Sequence, residues 1–160
     1  MSRLAQELHV VNVGSSSFIA ANEDFLDGTV DTDVVNLGKY EKAMWIIQKG
    51  AGATGTTVVT VDSCLDVTPT ASTAIAFNYW VCTTGDTYGD MQTATATGFT
   101  TTAGANQVYK VEVNAAELSD THKYARLVCT EATNDPCDGS IVCVLGAGRH
   151  VHEVPATAIV

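Results

Sequence analysis

Six β-branched residues stand in a row at positions 56–61: Thr56, Thr57, Val58, Val59, Thr60 and Val61. Each carries two heavy atoms on Cβ, which crowds the turns of a helix and suits a pleated strand. The run decides how the glycines before it are read. Gly50, Gly52 and Gly55 fall on the G-x-G-x-x-G spacing of a dinucleotide-binding loop. Such a loop needs a strand ahead of it and a helix behind it, because the helix N-terminus holds the pyrophosphate. The apolar segment 42–49 supplies the strand, and 56–61 denies the helix. The sequence therefore predicts strand, glycine-rich connection, strand, in the form of a β-hairpin, with no nucleotide or other cofactor.

Short strands separated by turn residues recur along the chain, at 33–37, 42–48, 73–82, 107–113, 123–130 and 140–147. In the segment 73–82, Ile75, Phe77, Tyr79 and Val81 share one face and Asn78 points to the other. In 107–113, Tyr109, Val111 and Val113 oppose Lys110 and Glu112. Half-polar strands of period two mark antiparallel sheet. Only 114–120 has helical character, with Asn114 at the N-cap and Glu117 at the capping-box position. The fold class expected is all-β, an antiparallel β-sandwich or jelly-roll-like domain with at most one short helix. Its extent is 33–160, preceded by an N-terminal arm and irregular loop over 1–32. Residues 1–13 fit two roles equally, an arm with Val10, Val11 and Val13 adding to a neighbouring sheet edge, or the domain's first strand.

Charge narrows the partners. Eighteen acids against eight Lys and Arg give a formal charge of −10. Nucleic acid and anionic membrane surfaces both require clustered cations, so neither is an expected partner. No apolar run approaches the roughly 20 residues that span a bilayer. The first thirteen residues carry neither a basic region nor a continuous apolar run, so synthesis in the cytoplasm is expected.

Catalytic chemistry finds little to work with. The five cysteines, Cys64, Cys82, Cys129, Cys137 and Cys143, show no C-x-x-C spacing. They read as reduced thiols, with Cys137 in a loop. His150 and His152 would share one face of a strand, but too few residues follow to complete a metal site. Further ligands would have to come from His9 or His122, so no metal is expected. No G-x-S-x-G elbow or Cys/His signature is present, so an enzyme is not expected. The Thr-, Ala- and Gly-rich stretch 83–107 reads as a long loop with a weak edge strand. Its functional reading is an adaptable contact surface anchored by Tyr88 and Phe99.

One resemblance emerges from the order of segments "KYEKAMWIIQKGAGATGTTVVTVDSC" (39–64), "IAFNYW" (75–80), "ATATGFTTTAGAN" (94–106) and "VYKVEVNAAELSDTHKYARLVCTEA" (108–132). This order resembles the cement, or capsid decoration, proteins of tailed bacteriophages, over about residues 35 to 153. The resemblance implies a β-sandwich bound to the outer surface of an assembled shell, with the major capsid protein as partner. It carries no signature site. Self-association as a homotrimer is the matching expectation, with a dimer as competitor, because shells offer three-fold and two-fold contact points. The alternative is a virion-surface receptor- or carbohydrate-binding module. Its aromatic platform would come from Trp45, Tyr79, Trp80 and Tyr88, although Trp45 and Trp80 are expected in the core.

Overall fold

The segment Tyr40–Lys49 (β4) turns Ala43, Trp45 and Ile47 to one side, where all three are fully buried, and Met44 and Ile46 to the other. That division organises the molecule. The computed structural model describes residues 4–14, 24–50 and 55–148. Besides β4 it contains β1 (His9–Val11), β2 (Thr29–Asp31), β3 (Val35–Asn36), β5 (Thr56–Cys64) and β6 (Ser72–Ile75). The series continues with β7 (Phe77–Cys82), β8 (Gln92–Ala94), β9 (Phe99–Thr100), β10 (Val108–Asn114), β11 (Tyr124–Thr133) and β12 (Gly139–Gly148).

Two antiparallel sheets result. The first has the order β1-β12-β4-β10-β7-β8 and the second β2-β11-β5-β6, with β3 beside β11 and β9 beside β5. Between them lie Trp45, Ile47, Tyr109, Val111, Cys143 and Leu145 from the first sheet, and Val59, Val61, Leu127 and Cys129 from the second. Each side chain of this kind stabilises the fold by about 1.5–3 kcal/mol relative to exposure. The all-β sandwich expected from the alternation is the fold observed.

Several connections differ from expectation. β4 and β5 do not form a hairpin; they belong to different sheets. Gly50 and Gly55 serve close approach instead. A Cβ on Gly50 would stand 2.9 Å from the Asp138 carbonyl oxygen, and one on Gly55 would collide with that of Asp135. Gly52 lies outside the described residues. The expected strand 73–82 is two strands, β6 in the second sheet and β7 in the first, broken at Ala76. Ile75 still reaches the same core as Phe77, Tyr79 and Val81, from the opposite sheet. The helical segment is one 3₁₀ turn, Ala115–Glu117, where the Glu117 carboxylate accepts the Asn114 N–H at 2.7 Å.

The N-terminal segment is not an arm over the residues described. A helical turn, Leu4–Glu7, leads into β1, which pairs with β12 as the edge of the first sheet, and Phe25 and Leu26 are buried in the same core. Apolar alternation in 10–13 is satisfied within the domain.

Candidate interaction surface

The two sheets present different outer faces. On the first, strand register sets side chains in rows. Val10 lies beside Val144, Val144 beside Met44, and Met44 beside Glu112. In the next row Val142 lies beside Ile46, Ile46 beside Lys110, and Lys110 beside Trp80. Val10 is 64% exposed and the others are partly exposed. These two rows thus form a largely apolar field holding Lys110 and Glu112, with Asn78 beside Glu112, and the rows that flank them carry Lys42 on one side and Gln48 and Ser140 on the other.

The segment 83–91 borders this field. The Cys82 thiol reaches the carbonyls of Thr84 and Gly85 at 3.7 and 3.4 Å, and the Gly89 N–H bonds the Val81 carbonyl at 3.0 Å. These contacts set Tyr88 against Lys110, whose ammonium lies 3.5 Å from the Tyr88 ring centroid and 5.9 Å from that of Trp80. Both rings attract the cation through their π-faces, yet neither supplies a counter-charge.

The second sheet's outer face is built for water. Arg126 bonds Asp31 at 2.6 Å and Asp62 at 3.0 Å, an ion triad across three strands. Val58 and Val128 on this face are paired with Thr130 and Thr60.

The residues expected to make contacts divide. Val10 and Tyr88 belong to the apolar face. Val11 and Val13 do not, being 5% and 0% exposed within the core, because β1 turns them inward. Phe99 is not a surface anchor either. It pairs with Val59 and stacks on Tyr79, with ring centroids 3.9 Å apart and planes 1° from parallel, in the gap between the sheets. Trp45 is core as expected, but Trp80 faces outward beside Lys110. The sequence reading passed over Met44, Ile46, Val142 and Val144. Their signal was present in "AMWII" and "IVCVL", where both phases of the alternation are apolar, meaning a strand apolar on both faces.

Other candidate groups are structural. Ser63 Oγ and His122 Nδ1 stand 2.8 Å apart, but Ser63 is fully buried and already accepts the Ser119 N–H at 3.1 Å. The pair ties the turn before β11 to β5. Lys49, 1% exposed, donates to the carbonyls of Gly55 at 2.8 Å and Thr102 at 2.9 Å. Burial pulls its ammonium below the ordinary lysine value. The Tyr109 hydroxyl accepts the Thr102 N–H and donates to Gln107 Oε1, both at 2.9 Å. The threonine-rich stretch is therefore pinned across one end of the sandwich. His9 stacks on Tyr40, while His150 and His152 lie outside the described residues. Among the described residues no group of three His, Cys, Asp or Glu side chains is placed to hold a metal.

No protein-family model, curated protein or solved structure matches the chain.

Proposed function

We propose that the chain is a structural virion protein that binds the outer surface of an assembled phage capsid and stabilises it. The observation that supports this best is the contrast between the outer faces, one laced with ions and threonines, the other carrying two largely apolar rows, as suits a chain that works within an assembly. An apolar field of this extent on a protein surface marks a contact with other macromolecules. A two-sheet sandwich whose core is filled by Trp45, Tyr109 and Leu145 keeps that surface in shape without any bound group. The segment order resembling the cement proteins makes the major capsid protein the partner and the virion exterior the location. No catalytic role is assigned.

Virions assembled without the chain test the proposal. They are expected to package DNA yet release it at a lower temperature, and purified chain added back is expected to restore the wild-type release temperature. Particles as robust as wild type that fail to adsorb to cells would replace this reading with the receptor- or carbohydrate-binding one. That second reading draws on the outward placement of Trp80 beside Tyr88. Glycan-array binding that is lost in Trp80→Ala, with the circular dichroism spectrum unchanged, would support it.

A further inference from the structure

We propose that the occupant of the first sheet's outer face is a second copy of this chain, in a two-fold, face-to-face dimer. The inference rests on the assembly reading of that face and assigns it to self-association, so that the shell is met by other surfaces of the dimer.

Charge on the face is self-complementary. Lys110 and Glu112 lie two residues apart on β10, on the same side of the sheet. Among the described residues neither Lys110 nor Glu112 takes part in an ion pair. Consider a two-fold axis that lies between the facing sheets and runs across the strands, level with the gap between these two residues. It sets β10 of one copy antiparallel over β10 of the other. Lys110 then meets Glu112 of the second copy, and Glu112 meets its Lys110. The same operation lays Ile46 over Met44 of the second copy and Val142 over its Val144, since those residues share the two rows. One axis therefore satisfies the charges and the apolar surface together, as an isologous contact requires.

Area and total charge agree. Five strands about 4.8 Å apart and the two rows about 7 Å apart give a field of about 340 Å² per copy. A pair buries about 700 Å² through these rows, in the range of weak, transient contacts, so the dimer is reversible and concentration-dependent. On a chain of formal charge −10 these rows hold one cation and one anion, and the adjacent row adds Lys42, so the face carries no excess of negative charge to drive the copies apart. An isologous face closes at two copies, which selects the dimer over the homotrimer.

Sedimentation equilibrium of the full chain, without capsid, tests this. A monomer–dimer equilibrium is expected. Lys110→Glu and Glu112→Lys alone each place like charges against each other twice, and each is expected to weaken the dimer by about tenfold or more. An equimolar mixture of the two variants restores both attractive pairs and is expected to form a heterodimer within about threefold of wild-type affinity. A misfolded variant could not be rescued in this way. Ile46→Lys is expected to leave only monomer, with thermal unfolding unchanged. A monomer at every concentration up to about 200 µM, a trimer, or variants that associate like wild type would overturn the dimer. Because no capsid is present, failure here leaves the cement reading standing, and failure of capsid attachment leaves the dimer standing.

Discussion

Buried ionisable side chains give this sandwich a defined response to pH. All five thiols are free and buried. Burial pushes Cys64 up to about 11 and Cys129 up to about 12, from 9.0, and raises Cys137 and Cys143 as well. A folded value above the unfolded one means that the folded state keeps its proton after the unfolded state has lost it. That stabilisation is complete below about pH 9 and lost as pH rises toward the folded values, at up to about 1.4 kcal/mol per pH unit per thiol. Lys49 works in the opposite direction, since its folded value lies below the ordinary 10.5 and its contribution improves with pH up to there. Four raised thiols outweigh one lowered lysine. Urea midpoints are therefore expected to fall above pH 9, and less steeply in the Cys129→Ala/Cys143→Ala double variant. Equal slopes in the two proteins would contradict the burial of these thiols. With Ellman's reagent at pH 8, the native chain should show no fast-reacting thiol and the urea-unfolded chain five.

Strand identity was legible in the alternation, and strand partnership was not. The β-branched run 56–61 announces β5 because side-chain shape acts within the residue itself. Whether β5 pairs with β4 depends on how the two inner faces meet, and the chain changes sheet repeatedly, among other places between β4 and β5, at Ala76 and on either side of β9. The break at Ala76 left no pattern, since Ile75 and Phe77 both point into the core from opposite sheets. Phe99 read as an exposed anchor because its neighbours are threonines and glycine; its true environment comes from Val59, Phe77, Tyr79 and Tyr109, distant in sequence. Of the residues at the apolar outer face, the sequence pointed to Val10 and Tyr88, while the doubly apolar strands β4 and β12 carried a signal for the rest. Facing along β7 can be checked directly. Phe77, 2% exposed, is expected to cost about 3–5 kcal/mol on Phe77→Ala through lost burial and a cavity. Asn78, which accepts a hydrogen bond from Thr93 on the exposed side, should cost under about 1 kcal/mol on Asn78→Ala. Similar losses from both, measured by urea denaturation, would reverse the assignment of faces.

Net charge decides how the dimer answers to salt, and magnitudes decide the sign. Two sandwiches packed through their first sheets have centres about 20 Å apart at the usual 10 Å sheet spacing. Ten negative charges on each repel by roughly 20 kcal/mol in unscreened water. The two Lys110–Glu112 contacts return about 1 kcal/mol each at the partly exposed positions they occupy. The repulsion is long-ranged, so it fades as the screening length shortens from about 30 Å at 0.01 M salt to about 8 Å at 0.15 M. The ion pairs act at contact and lose far less. Burial of Ile46, Met44, Val142 and Val144 does not depend on charge at all, and strongly excluded salts strengthen it. Association is therefore expected to tighten as sodium chloride rises from 10 to about 150 mM, opposite to a complex held by cations on an anionic partner. Sedimentation equilibrium at the two salt concentrations measures it. A dimer that dissociates over that range would mean that ion pairs, not the apolar rows of β4 and β12, hold the copies together.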